Sequence, residues 1–273
     1  MLAAVSSVQF GAALAKTLFD EVGPGGTVFL RLLFAAVVLA IVFRPSLRGL
    51  ARADWRLVLI FGFTLAGMNL AFYESLDRIP LGVAVTFEFV GPLGVAIAGA
   101  RRALDLLWVG LAAAGILLLS DFGGADLDGL GVALALLAGA FWAAYIVLSA
   151  RVGQAFESGQ GLALAMAAGA VMITPVGVGD GGAELAGAGI LALGAGVAIL
   201  SSAVPYTLEM EALRRMPQGV FGVLMSIEPA MAAFAGFVVL GEDLAARELV
   251  AIVLVVAASA GAAREATMPP RDA

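Results

Sequence analysis

The sequence predicts an all-α integral membrane protein with ten transmembrane helices, arranged as two inverted five-helix repeats. Composition is the first observation: 62% of the 273 residues are hydrophobic and 13% are charged, against roughly 45–50% and about 25% in soluble domains. The second is the division of the chain into ten apolar stretches by charges and Gly/Pro clusters. The third is a segment of the first half that recurs in the second half, after an odd number of spans.

Each apolar stretch has about the length that a helix needs to cross roughly 30 Å of hydrocarbon. The stretches lie near residues 2–19, 26–43, 57–75, 81–99, 104–120, 129–149, 160–178, 187–208, 219–240 and 247–263. The runs are continuous and rich in Leu and Ala, which favours helices over the short alternating strands of a membrane barrel. We expect an N-terminal repeat over 1–125, a C-terminal repeat over 126–264 and a disordered cytoplasmic tail over 265–273.

Basic residues predict the orientation of the chain in the membrane. Of the 15 basic residues, 11 fall on one side of the predicted spans: Arg44, Arg48, Arg52, Arg56, Arg101, Arg102, Arg151, Arg214, Arg215, Arg264 and Arg271. Loops rich in Lys and Arg stay in the cytoplasm. Both termini are therefore predicted to be cytoplasmic.

The internal repeat relates residues 74–92 (ESLDRIPLGVAVTFEFVGP) to residues 211–229 (EALRRMPQGVFGVLMSIEP). Five spans are an odd number, so the second copy enters the membrane inverted. Inverted repeats are typical of secondary transporters, whose substrate site lies near the membrane midplane between the repeats. The shared Pro92 and Pro229 lie about ten residues inside their spans, where proline removes a backbone hydrogen bond and is expected to kink the helix.

Several classes of protein are excluded or disfavoured by what the sequence lacks. It contains no Cys and no His, so thiolate and His-dependent catalysis, and Cys or His metal sites, are absent. We predict no catalytic residue, metal or cofactor, and no enzyme activity. A net charge of −6 argues against nucleic-acid binding. An intramembrane enzyme using carboxylate or Ser-Lys chemistry, and a scaffold that transports nothing, are the remote alternatives.

Polar side chains inside the spans are functional candidates because burying them in lipid is costly. The candidates for substrate binding or coupling are Gln9, Lys16, Arg31, Asn69, Glu88, Tyr206, Ser226 and Glu228. The alternative for the two carboxylates is a protonated or paired group that locks two helices together. The alternative for Lys16 and Arg31 is snorkelling to the membrane interface. Glu74 and Glu211 occupy equivalent places in the repeat and are predicted to form a gate or an interface salt bridge.

Four segments resemble the EamA type of the drug/metabolite transporter superfamily, closest to its bacterial threonine/homoserine exporter branch. They cover residues 8–23, 67–93, 140–153 and 198–242, the last with SSAVPYTLEM and LMSIEPA. The resemblance implies a ten-helix, five-plus-five fold in the bacterial cytoplasmic (inner) membrane. It also implies export of small amino acids such as threonine and homoserine. We expect a monomer or a homodimer.

A zwitterionic substrate needs an acceptor for its ammonium group and a donor for its carboxylate. The candidate acceptors are Glu88, Glu228 and the carbonyl groups freed at Pro92 and Pro229. The candidate donors are Lys16, Arg31, Gln9 and Asn69. Without His, coupling to protons is expected to use Glu228 or Glu88. Within the same family, an aromatic amino acid, a nucleoside or an organic cation is the alternative substrate.

Overall fold

The structure is a computed structural model that describes residues 2–98, 107–108, 110–112, 114–115, 118, 127–157, 159–205, 208, 227–243 and 245–265. Every regular element in these ranges is helical, so the all-α prediction is confirmed for this part of the chain. The predicted span near 104–120 and the first part of the span near 219–240 fall largely outside these ranges. The ten-span count therefore stays a prediction.

The helices of the first half of the sequence are α1 (Leu2–Lys16), α2 (Phe19–Phe43), α3 (Arg52–Leu76), α4 (Leu81–Glu88) and α5 (Val90–Ala98). Those of the second half are α6 (Gly129–Ala155), α7 (Gln160–Gly181), α8 (Ala188–Ala198), α9 (Glu228–Ala235) and α10 (Ala246–Glu265). A 3₁₀ turn, Gly182–Ala186, follows α7, and π-helical turns, Ile199–Ala203 and Gly236–Leu240, follow α8 and α9. The labels do not count spans, because α4 and α5 are two parts of one interrupted apolar segment.

Four of these segments are long and apolar enough to cross a membrane. They are Phe19–Phe43, Arg52–Leu76, Gly129–Ala155 and Gln160–Ala186, with 25 to 27 residues each. At about 1.5 Å per residue, such helices exceed the roughly 30 Å of the hydrocarbon core. Large apolar side chains on their outer faces are exposed, among them Ile41 and Val171. These features indicate a multi-pass membrane protein.

The start of α2 differs from the prediction, which placed it near residue 26. Helical backbone geometry begins at Phe19, is interrupted at Gly23 (φ 67°) and resumes at Pro24. Gly tolerates this positive φ, and Pro suits a first helical turn because it has no N–H to satisfy there. The carboxylate of Asp180 then accepts a hydrogen bond from the Gly25 N–H at 3.0 Å. Arg31 consequently lies two turns inside the straight part of α2.

The packing joins the two halves of the sequence rather than separating them. Helix α2 packs on α7, and α3 packs on both α6 and α7. Helix α1 packs on α9 and on the Ile199–Ala203 turn, and α4 packs on α6 and α9. The buried core accordingly draws its side chains from both halves.

The interruption between α4 and α5 is packed against the backbone of α6. Pro92 is the third residue of α5 and has no N–H, so it cannot bond the carbonyl of Glu88 four residues earlier. That carbonyl faces Gly139, where an added Cβ would lie 2.5 Å from the Glu88 oxygen. A Cβ on Gly91 would likewise overlap the carbonyl of Gly139. Glycine at both positions permits this close approach.

Candidate functional site

Helices from both halves line a cavity of about 90 Å³. A single water needs about 10–15 Å³, so the cavity has room for more than one water. Elements α1, α2, α3, α4, α6, α9 and the Ile199–Ala203 turn contribute to its wall. The lining residues are Val8, Gln9, Ala12, Arg31, Met68, Asn69, Phe72, Glu88, Trp142, Tyr145, Ser201 and Glu228.

Five of the eight residues predicted to bind or couple substrate line this cavity. They come from five different helices: Gln9, Arg31, Asn69, Glu88 and Glu228. All five are buried, with at most 8% of each residue exposed. Their spacing in the sequence does not reveal that they meet, so their convergence is a property of the fold. Their roles stay predictions.

Arg31 is held by hydrogen bonds from three of its nitrogens. Nη1 donates to the Tyr73 hydroxyl at 3.0 Å, Nε to Ser202 Oγ at 3.2 Å, and Nη2 to the Ser201 carbonyl at 2.9 Å. The Tyr73 ring also lies 5.5 Å from the Arg31 Cζ. With 6% of its surface exposed, Arg31 does not snorkel to a membrane interface. The result is an oriented guanidinium on the cavity wall.

Two carboxylates share the cavity with this guanidinium. Glu88 is the last residue of α4, at the interruption before α5, and lines the cavity together with Arg31. Glu228 is the first residue of α9, where the helix N-terminus favours negative charge. The surrounding side chains of Met68 and Phe72 are apolar. The cavity therefore presents one guanidinium group and two carboxyl groups in a low-dielectric setting.

Two polar atoms on the wall have no hydrogen-bond partner among the residues that the structure describes. They are Gln9 Oε1 and Ser201 Oγ, and the residues that carry them are 2% and 1% exposed. Asn69 differs, because its Nδ2 donates to the Leu65 carbonyl at 2.7 Å within α3. Buried polar atoms are normally paired, so these two are candidate contacts for water or a ligand.

Lys16 does not line the cavity. Its Nζ lies 2.6 Å from Glu242 Oε1, and Glu242 Oε2 accepts a hydrogen bond from the Leu81 N–H at 2.9 Å. We call this region the Lys16 end of the bundle: the end of α1, the start of α4, Glu242, and the contact of Asp180 with Gly25. At this end, two carboxylates of the second half bind helix N-termini of the first half.

Of the remaining predicted residues, Glu74 and Pro229 lie in the described part of the chain, and neither lines the cavity. Glu74 forms an ion pair with Arg78 at 3.5 Å, one turn further along the same segment, and Pro229 is the second residue of α9. The predictions for Tyr206, Glu211 and Ser226 fall outside the described residues.

The sequence pattern did not single out the aromatic residues of the site. Tyr73 orients Arg31, while Trp142 and Tyr145 line the cavity from α6. Trp142 packs edge-on against Phe89 at 5.4 Å between ring centroids, and Tyr145 stacks on Phe61 at 5.6 Å. The three-residue spacing of Trp142 and Tyr145 is the available signal, because it places both on one helix face.

Comparison with known proteins identifies the family. The EamA-like transporter family matches residues 129–264. The threonine/homoserine exporter RhtA of Salmonella typhimurium (strain SL1344) is 42% identical over 263 residues, covering 96% of this chain and 89% of the relative. The exporter of the same name from Escherichia coli (strain K12) has the same identity and coverage.

A solved crystal structure of a protein that is 19% identical in sequence shares the fold, with a TM-score of 0.67 over 96% of this chain and 95% of that chain. The relatives are exporters, in agreement with the expectation that the chain is not an enzyme. The identity of 42% over nearly the whole chain confirms the resemblance seen in the sequence motifs. The chain belongs to the EamA-like transporter family.

Proposed function

We propose that this protein exports threonine, homoserine and similar small amino acids from the bacterial cytoplasm by alternating access. The observation that carries the proposal is the meeting of Arg31, Glu88 and Glu228 in one cavity. A zwitterionic amino acid brings one carboxylate and one ammonium group, which these side chains match in charge. The names of the 42% identical relatives support the same substrates.

In this proposal Arg31 binds the substrate carboxylate and a glutamate binds the ammonium group. Arg31 suits its role because Tyr73 and the Ser201–Ser202 pair orient its planar guanidinium before substrate arrives. Pre-orientation reduces the entropy lost on binding.

We also propose the architecture and orientation that alternating access requires. Residues 1–125 and 126–264 form the inverted five-helix repeats, and both termini are cytoplasmic in the inner membrane. The repeat of 74–92 in 211–229 and the one-sided distribution of Arg support this arrangement. In that orientation, the Lys16 end of the bundle faces the periplasm.

Proton coupling belongs to the same proposal. A buried carboxylate that faces the cavity can bind a proton and an ammonium group in turn, which links the two fluxes. Glu88 and Glu228 meet this requirement. We expect Glu88→Gln or Glu228→Gln to lose the response of threonine flux to an imposed pH gradient, and to retain only a weakened exchange of labelled threonine that does not depend on pH. Glu184→Gln, at an exposed site in the Gly182–Ala186 turn, is the matched control.

The decisive experiment measures flux through the purified protein in lipid vesicles. The panel contains threonine, homoserine, phenylalanine, a nucleoside and an organic cation. We expect flux of the first two, and at least about a tenfold loss in Arg31→Lys, since Lys keeps the charge but not the planar fork. Arg151→Lys, exposed on α6, should transport normally. Flux confined to the nucleoside or the cation, or an active Arg31→Lys variant, would overturn the proposal.

A further inference from the structure

We propose that Gln9 and Ser201 form a subsite for the side-chain hydroxyl of the substrate, and that this subsite selects hydroxylated amino acids over aliphatic ones of the same shape. The inference rests on the proposed function, because it assumes an amino acid whose carboxylate binds Arg31. It adds the residues that recognise the side chain of the substrate. The starting observation is that Gln9 Oε1 and Ser201 Oγ are buried in the cavity wall without a hydrogen-bond partner among the described residues.

The backbone around Ser201 departs from regular α-helix. Ser201 lies in the π-helical turn Ile199–Ala203, and such turns depart from the α-helical hydrogen-bond pattern and are frequent at functional sites. Helix α1 lies close to this turn, since Ser7 Oγ donates to the Leu200 carbonyl at 2.6 Å. A Cβ on Gly11 would overlap Ser201 Oγ, so glycine at that position leaves space for the hydroxyl.

The subsite adjoins the group that binds the carboxylate. Arg31 Nη2 donates to the main-chain carbonyl of Ser201 at 2.9 Å. The Ser201 hydroxyl therefore belongs to the residue that the guanidinium contacts. An amino acid whose carboxylate occupies Arg31 would carry its side chain only a few bonds away. Gln9 approaches the same cavity from α1.

The two unpartnered atoms are chemically complementary to a hydroxyl group. Gln9 Oε1 can only accept a hydrogen bond, and the Ser201 hydroxyl can donate one. A substrate hydroxyl can donate to the first and accept from the second, which satisfies both. Valine has the shape of threonine with a methyl in place of the hydroxyl. It would leave both atoms unpaired, and unpaired buried polar groups are penalised.

The test compares threonine with valine in vesicles that contain the full-length protein. We expect the wild type to transport threonine with a kcat/KM at least about tenfold above that for valine, because a site that hydrogen-bonds a hydroxyl rejects the analogue without it. Ser201→Ala and Gln9→Met should each reduce this ratio by about fivefold or more, with valine flux retained. Retained valine flux also verifies that each variant is folded.

The matched controls are Ser75→Ala and Gln154→Met. Ser75 Oγ is also buried without a partner in the described part of the chain, but Ser75 does not line the cavity; Gln154 is exposed on α6. Both should keep the wild-type ratio. A wild type that transports the two amino acids equally, or variants that reduce both fluxes equally, would overturn the subsite while leaving amino-acid export intact. A wild type that transports no amino acid would instead overturn the proposed function.

Discussion

The Lys16 ammonium lies 2.6 Å from the Glu242 carboxylate, although the two residues are 226 positions apart in the sequence. The same carboxylate accepts the Leu81 N–H through its other oxygen. Glu242 therefore makes an ion pair with α1 and caps the N-terminus of α4. One side chain of the second half thus holds two helices of the first half.

Substitutions at Glu242 are expected to separate these two contributions. Glu242→Gln loses the ion pair but keeps an oxygen for the Leu81 N–H, whereas Glu242→Ala loses both. A partly exposed ion pair contributes about 0–1 kcal/mol, and loss of a helix cap costs about 0.5–2 kcal/mol. Melting of the purified variants in detergent should rank wild type above Gln and Gln above Ala. Equal melting of the Gln and Ala variants would contradict the capping role.

Tyr73→Phe is expected to weaken substrate binding without abolishing transport. The change removes the hydroxyl that accepts from Arg31 Nη1, so the guanidinium becomes less well oriented. We expect the KM for threonine to rise about three- to tenfold, which corresponds to the roughly 0.5–1.5 kcal/mol of one ordinary hydrogen bond. The maximal rate should change less.

Thr64→Val is the control for this substitution. Thr64 is on the same helix, and its hydroxyl donates to the Ile60 carbonyl at 2.9 Å. It does not line the cavity, so the KM of this variant should match the wild type. A Tyr73→Phe variant with an unchanged KM would show that the hydroxyl is not needed to orient Arg31.

Gly139→Ala is expected to destabilise the protein. Its Cβ would lie 2.5 Å from the Glu88 carbonyl, so α6 must move away from the interruption between α4 and α5. Overpacking of this kind costs about 1–3 kcal/mol. A Cβ on Gly153 of the same helix meets none of the described residues within 4 Å, so Gly153→Ala should be neutral or slightly stabilising. Similar melting temperatures for the two variants would refute the close contact at Gly139.

The absence of Cys from the sequence makes single-cysteine labelling a clean test of orientation. We expect Ser46→Cys, in the connection after α2, to react only with reagents that reach the cytoplasm. Glu184→Cys, in the turn after α7, should react with an impermeant reagent added to intact cells. Both positions are exposed. The reverse pattern would contradict the orientation predicted from the Arg distribution.

The starts of two helices were predictable from the charges that border an apolar stretch, whereas α3 begins at Arg52 rather than near residue 57 because its first turn includes charged residues. The beginning of α6 at residue 129 and that of α7 at residue 160 agree with the structure. The start of α2 was not predictable from the apolar pattern. Gly23 and Pro24 indicate a break in the helix, and nothing in the pattern shows that a helical turn precedes this break.

The site was predictable to the extent that a polar group in an apolar span has few structural uses. This argument selected Arg31 and Glu88, which meet in the cavity. It also selected Lys16, whose partner lies too far along the chain for any local pattern to reveal. The argument did not select Tyr73, because an aromatic residue among apolar residues is expected to contribute only to packing.

The hydrogen bonds that hold Arg31 have a consequence for an unloaded carrier. Two of its acceptors, the Ser201 carbonyl and the Ser202 hydroxyl, belong to the opposite half of the chain. Parting the halves without cargo would strip a buried cation of these acceptors, which carries a large desolvation penalty. In the proposed transport cycle, we expect the carboxylate of the substrate to replace these acceptors during the movement. The empty carrier should then meet a higher barrier than the loaded one, which would limit leakage when no substrate is bound.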